Sequence, residues 1–228
     1  CEEVPTAPPG ARLVCSDINF ILLADIVSRV AGMPFDRFVQ ERLAGPLGMR
    51  DTMFNPPESL RPRIAPTEMC TPYGWPCAGP DQVMLRGIVH DPTARRMGGV
   101  AGHAGLFSTA ADLARYCRMV LGGGALGAAR ILSPLTVLKM TSPATPAGMA
   151  NVRALGWDLD SSYSSNRGEL FPVGSFGHTG WTGTSVWMDP VAKTYVILLS
   201  NGVQPDGKAF LGEKFSFMAA PADRRSRS

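Results

Sequence analysis

The stretch Gly177-His178-Thr179-Gly180-Trp181-Thr182-Gly183-Thr184 runs directly into Ser185-Val186-Trp187-Met188, and Asp189-Pro190-Val191-Ala192-Lys193 then leads to Thr194-Tyr195-Val196-Ile197-Leu198-Leu199. The two later runs are rich in β-branched and aromatic residues and are parted by turn formers, so with His-Thr-Gly they read as three strands of an antiparallel meander. His178 and Thr179 then lie on the first strand. An imidazole and a hydroxyl offer a ligand hydrogen-bond partners, and the neighbouring glycines let a ligand or another backbone approach closely. The combination predicts an edge strand lining an active site.

Working outward, the segment before this meander is helical in character. Apolar residues between Asn19 and Ala31 recur at helical spacing and stop at Gly32, and a second helix is predicted from about Phe35 to Ala44, ending at Gly45-Pro46. Residues 55–99 are rich in Pro and Gly with little periodicity, which predicts a long excursion near the pocket. Thr109 with Asp112 resembles a capping box opening a helix to Leu121, closed by Gly122-Gly123-Gly124, and Ser133-Pro134 opens a further short helix. After Leu155-Gly156-Trp157-Asp158 strands dominate. The chain therefore reads as α+β: residues 1–150 a mainly helical region, and residues 151–228 the strands of an antiparallel sheet and a tail.

Composition excludes several classes of protein. A chain of 228 residues with 45% hydrophobic content can bury one sizeable core, and 25 Gly and 20 Pro point to many loops. The net charge of +3 is small and the basic residues are scattered, apart from Arg224-Arg225-Ser226-Arg227, so no nucleic-acid-binding stripe is present. The richest apolar run, Phe20 to Val30, is broken by Asp25 and Arg29 and falls short of a membrane span. No signal peptide opens the sequence. Five cysteines leave at least one unpaired, and Cys70 and Cys77 are close enough for a loop-closing disulfide in an oxidising compartment.

Other motifs favour plain structural readings. Gly98-Gly99-Val100-Ala101-Gly102-His103-Ala104-Gly105 has no following Gly-Lys-Ser/Thr and reads as a tight turn beside the pocket rather than a phosphate loop. His90, His103 and His178 lack the paired spacing of zinc motifs, so no metal is expected, and nothing calls for a cofactor. Trp157, Trp181 and Trp187 suit core or pocket walls. No Gly-x-Ser-x-Gly elbow occurs, which argues against an α/β-hydrolase.

Four segments together carry a resemblance: Pro9-Gly10-Ala11-Arg12-Leu13-Val14-Cys15-Ser16-Asp17-Ile18-Asn19-Phe20-Ile21-Leu22-Leu23, Pro46-Leu47-Gly48-Met49-Arg50-Asp51-Thr52-Met53-Phe54, Gly102-His103-Ala104-Gly105-Leu106-Phe107-Ser108-Thr109-Ala110-Ala111-Asp112-Leu113, and the His-Thr-Gly strand. In this order they resemble the penicillin-recognising serine hydrolases: class C β-lactamases, D-Ala-D-Ala carboxypeptidases and related esterases. The resemblance runs from about Pro9 to Asn201. It implies a β-lactamase/transpeptidase-like fold, with helices flanking an antiparallel sheet, and acyl transfer from a small-molecule or peptidoglycan-peptide substrate through an acyl-enzyme. It also implies a periplasmic or extracellular setting. His178-Thr179-Gly180 matches the family's Lys-Thr-Gly, so His178 and Thr179 would contact a substrate carboxylate or the proton relay. The N–H of Trp181 would match an oxyanion-hole donor, worth roughly 3 kcal/mol in acyl-transfer enzymes. An imidazole in place of Lys makes carboxylate binding pH-dependent.

Two departures stand out. The family's nucleophile belongs to a Ser-x-x-Lys motif upstream of the Cys15 region, and of Lys139, Lys193, Lys208 and Lys214 none follows a serine by three. Thr136-Val137-Leu138-Lys139 has the spacing but follows the Ser133-Pro134 helix start, so it reads as a surface helix turn. The sequence therefore reads as a catalytic domain incomplete at its amino terminus. Second, Cys15-Ser16-Asp17 stands where the family has Tyr-x-Asn or Tyr-Ser-Asp. A thiol ionises more readily than a phenol, about 8.5 against about 10 in reference peptides, but its sulfur lies closer to the backbone and does not reach as far. Asp17 takes the place of the Asn, able to accept a hydrogen bond but not to donate one; the plainer alternative is a helix N-cap. Three functions remain open: part of a serine hydrolase acting on β-lactams, D-Ala peptides or small esters; a family member that binds such ligands without catalysis; and a thiol hydrolase built on Cys15 and His178.

Overall fold

In the computed structural model, residues 7–8, 10–69, 84–162, 164 and 167–203 are described. Helix α1 (Asp17–Ala31) starts after an extended Ser16 and ends at Gly32, whose φ of 63° is the left-handed conformation that glycine adopts without penalty. Asp17 is its first helical residue rather than its N-cap, and Ser16 makes no side-chain capping bond. The next helix does not stop at Gly45-Pro46. Helix α2 (Phe35–Val39) continues through a π-helical turn at Gln40–Ala44 into α3 (Gly45–Leu47) and closes at Gly48. Pro46 has no N–H for an α-helical bond, and the wider turn accommodates it. Gly45 caps that turn, and a β-carbon there would come 2.9 Å from the Gln40 carbonyl oxygen.

A two-residue ribbon pairs β1 (Met53–Phe54) with β2 (Leu106–Phe107), so it brackets the excursion in sequence. The excursion contains a 3-10 turn at Glu58–Arg63 and helix α4 (Pro92–Arg96), for which Asp91 is the N-cap. Cys70 and Cys77 lie outside the described residues. Helix α5 (Ala110–Leu121) opens as the sequence predicts, with the Thr109 hydroxyl accepting from the Asp112 N–H at 3.2 Å. The Asp112 carboxylate is turned elsewhere: it accepts from the Asp51 N–H at 2.8 Å and from the Thr52 hydroxyl at 2.9 Å, so the reciprocal half of the capping box is absent. A small hairpin, β3 (Ala125–Leu126) with β4 (Ala129–Arg130), leads to α6 (Pro134–Thr141), capped by Ser133. Thr136 and Lys139 are exposed on α6, as a surface helix turn requires.

The remaining strands, β5 (Val152–Arg153), β6 (Asp158–Asp160), β7 (Phe176–Thr179), β8 (Ser185–Asp189) and β9 (Thr194–Leu198), form one antiparallel sheet in sequence order. The predicted meander is β7-β8-β9. The β8–β9 turn rests on Asp189, whose carboxylate accepts from the N–H groups of Val191 and Ala192. Lys193 in that turn reaches the Leu121 carbonyl at 2.9 Å, supplying a cation at the end of α5. Alternate residues of β7 and β8 enter the core: Phe176 and Met188 are fully buried with Met119, Val120 and Cys117 of α5. Strand β7 is not an edge, since it lies between β6 and β8. Its ladder with β6, however, reaches only Gly177, opposite Asp158, while its ladder with β8 continues to Thr179 opposite Ser185. The half bearing His178 and Thr179 thus extends past its neighbour on one side and has the character of an edge where the sequence placed one.

Candidate active site

Past the end of the β6–β7 pairing lies a cavity of about 650 Å³. One wall is sheet: His178, Thr179 and Gly180 with Thr184, Ser185 and Val186 across the ladder. The opposite walls are the β1–β2 ribbon, the start of α5 at Ser108, Thr109 and Ala110, and the excursion at Leu60, Arg63 and Ile64. The lining is mainly apolar with a few polar groups on both the sheet side and the opposite walls, the character of a small-molecule site.

His178 is half-buried and its Nδ1 pairs with the Thr179 carbonyl at 2.8 Å. With Nδ1–H donated there, Nε2 is the nitrogen left for other partners. After Thr179 the chain turns tightly: the Gly180 N–H donates to the Thr184 carbonyl at 2.7 Å and the Gly183 N–H to the Gly180 carbonyl at 3.0 Å. The glycines do permit close approach, but to the protein's own groups. The place of a β-carbon at Gly177 is taken by the Trp187 ring and the Val186 carbonyl, and that at Gly180 by the Thr184 hydroxyl. Trp181 stands at the hairpin tip, 63% exposed and outside the cavity lining, and among the described residues no backbone bond engages its N–H.

The sequence missed the groups that hold the opposite wall. Asp51 and Arg63 form a two-pronged ion pair at 2.8 and 2.9 Å, which holds the Asp51 carboxyl below its usual range through the Arg63 hydrogen bonds, against a smaller opposing effect of desolvation. Behind them the buried Asp112 carboxylate grips Thr52, and the Thr52 hydroxyl meets that of Ser108 at 2.8 Å. This chain fixes Ser108 in the cavity wall. The excursion is tied to the segment after β9 by the Asn201 side chain, which donates to the Pro66 carbonyl. Only the low periodicity of residues 55–99 hinted at that wall, since an ion pair between separated loop residues leaves no pattern in sequence.

Cys15 and Asp17 occupy a different place. Cys15 is an exposed free thiol just before α1, and neither it nor Asp17 lines the cavity that holds His178. Asp17 instead comes together with Asp91 and His103 from the excursion and the glycine-rich turn, a group of donors with the composition to hold a cation. The three histidines thus gave no warning of a cluster whose other members are aspartates from distant segments.

An antiparallel sheet with a His-Thr-Gly strand beside an apolar cavity, backed by helices, defines a protein of the β-lactamase and penicillin-binding fold. A family model described as "Beta-lactamase" matches residues 1–216. A protein of Escherichia coli strain K12 named "Putative D-alanyl-D-alanine carboxypeptidase" is 37% identical over 203 residues, covering 85% of this chain and 46% of the relative. Among solved structures, a β-lactamase from Mycobacterium bovis superimposes with a TM-score of 0.58 at 24% identity, over 86% of this chain and 58% of that one. EstCE1, described as a hydrolase with promiscuous acyltransferase activity, does so with a TM-score of 0.60 at 21% identity, over 86% and 52%. At these identities the structures show the shared fold. The chain belongs to the β-lactamase family, and it spans about half the length of the curated relatives it matches. Among the described residues no single helix is long and apolar enough to cross a membrane.

Proposed function

We propose that the cavity edged by His178, Thr179 and Gly180 is the substrate-binding half of an acyl-transfer site, in a hydrolase acting on D-Ala peptides, β-lactams or small esters. The observation that carries this reading is the half of β7 paired with β8 alone: His178 and Thr179 continue past the β6 pairing and line a mainly apolar cavity of about 650 Å³. An extended acyl substrate laid there meets backbone groups of the strand, the Thr179 hydroxyl and the His178 imidazole. The Trp181 N–H is the candidate oxyanion donor, and closure of its hairpin over the cavity is the movement that role requires. The nucleophile in this reading is a Ser-x-x-Lys serine outside these 228 residues, consistent with a chain matching 46% of its K12 relative.

The substrate-binding member without catalysis remains as a second reading, and Cys15 is the observation that favours it, because a thiol in place of the relay phenol shortens the reach of the proton donor. A Cys15–His178 thiol pair is disfavoured, since the cavity takes in His178 and not Cys15. Incubation of the complete protein with a fluorescent penicillin and with an acyl-D-Ala-D-Ala peptide tests the proposal. Covalent labelling or release of D-Ala is the expected result. Reversible binding with neither supports the second reading, and absence of both binding and labelling contradicts the proposed site.

A further inference from the structure

The hydrogen bonds behind the cavity wall that faces the His178 strand have a fixed direction. They start at Asp112, whose buried carboxylate accepts from the Asp51 N–H at 2.8 Å and from the Thr52 hydroxyl at 2.9 Å. Thr52 is 1% exposed, and the single hydrogen of its hydroxyl is committed to Asp112. The 2.8 Å contact between the Thr52 and Ser108 hydroxyls therefore has one polarity: Ser108 donates and Thr52 accepts. The Thr109 carbonyl, 3.5 Å from the Ser108 oxygen, is too distant to compete for that hydrogen.

Ser108 lines the cavity, whereas Thr52 and Asp112 stand behind it. With its hydrogen turned back into the wall, the Ser108 oxygen has lone pairs and no proton to offer a ligand. A hydroxyl free to rotate serves donors and acceptors alike, but this one is held as an acceptor. The same wall carries Leu106, Phe107 and Leu113, so a ligand that fills the cavity displaces water and leaves Ser108 either paired with a ligand hydrogen or unpaired. An N–H satisfies that oxygen. An ester oxygen in the same place sets lone pair against lone pair and leaves the acceptor without a partner.

We propose that Ser108 is a specificity-determining residue that accepts a hydrogen bond from an amide N–H on the acyl side of the substrate, with Asp112 and Thr52 as positioning residues acting through it. Of the substrates open to the site, those with an acylamino or peptide group are then favoured over plain esters of the same shape. The inference rests on the acyl-transfer reading of the cavity and narrows its substrate class.

The test uses the complete protein and two thiolesters of one shape, benzoylglycyl and benzoyloxyacetyl, which differ by an amide N–H against an ester oxygen. Thiol release is followed, and each rate is taken relative to the compound's own hydrolysis by hydroxide. In wild type kcat/KM should favour the amide at least about tenfold. In Ser108→Ala the amide should lose about tenfold while its ester isostere changes less than about twofold, and Ser108→Thr, which keeps the hydroxyl, should retain the preference. A wild-type ratio near one overturns the proposal. Equal losses on both substrates in Ser108→Ala also overturn it, by marking a merely structural role. Turnover of neither thiolester refutes the acyl-transfer reading instead. The dissociation constants of the same pair, from calorimetry, then carry the comparison: tighter binding of the amide, lost in Ser108→Ala, upholds the role of Ser108, and equal affinities overturn it.

Discussion

Helices α1 and α5 show how differently two helices can be used within one chain. Helix α5 is amphipathic: Cys117, Met119, Val120 and Leu121 are buried against β8 and β9, while Arg118 stays exposed. Helix α1 is rich in apolar residues, yet only Ala24 is buried, and Ile18, Leu22, Leu23, Ile26 and Val30 are exposed, Val30 by 85%. Spacing and terminal residues decide that each helix forms. Whether its apolar surface is covered depends on what stands opposite. The described residues cover α5 and leave most of α1 open.

The largest expected effect tests that contrast directly. Phe176→Ala, in the core beneath α5, should cost about 3–5 kcal/mol in urea unfolding, whereas Leu23→Ala on the open face should stay within about 0.5 kcal/mol. Equal costs would mean that α1 is buried in solution. Next, Asp112→Ala should cost about 1–3 kcal/mol, because it leaves the Asp51 N–H and the buried Thr52 hydroxyl without their acceptor. The same variant should loosen Ser108, read as a change in ligand affinity at the cavity.

The two free thiols among the described residues sharpen the comparison through pH. Burial pushes the Cys117 thiol up to about 11 from a reference of 9.0. A group with a raised folded value stabilises the fold below its unfolded value and loses that contribution as pH climbs through the folded one. Stability should therefore decline between about pH 9 and 11 in wild type. It should decline less in Cys117→Ala, compared as the change in unfolding free energy over that range. At neutral pH, peptide mapping after iodoacetamide should find Cys15 modified and Cys117 intact. The smallest effect concerns the surface of α1: Leu23→Glu with Val30→Lys should leave stability within about 0.5 kcal/mol while lowering binding of a hydrophobic dye.

Much of this architecture was legible because it rests on local signals. Gly32 at the end of α1, Ser133-Pro134 at the start of α6 and the alternation in β7-β8-β9 each specify an element within a few residues. The π-helical passage through Gly45-Pro46 was not legible, since a proline that usually ends a helix is absorbed there by one wider turn. The edge character of β7 was half right: sequence shows a strand and its polar end, but where β6 stops depends on a neighbour some twenty residues away, paired only at Asp158. His178 and Thr179 were visible as part of a motif. Asp51–Arg63 and Asp112–Thr52–Ser108 were not, because these contacts form only when the loop between β1 and β2 closes.

The central claim is that the half of β7 paired with β8 alone binds the acyl substrate. It is tested most directly by the rate of covalent labelling of the complete protein by a fluorescent penicillin, measured for wild type, His178→Ala, Thr179→Val and Lys139→Ala. Labelling should slow at least about tenfold in His178→Ala and Thr179→Val, in line with the loss of a positioned acid–base or hydrogen-bonding group. It should be unchanged in Lys139→Ala, on the exposed face of α6. Undiminished labelling in both strand variants, or labelling abolished by Lys139→Ala, would contradict it.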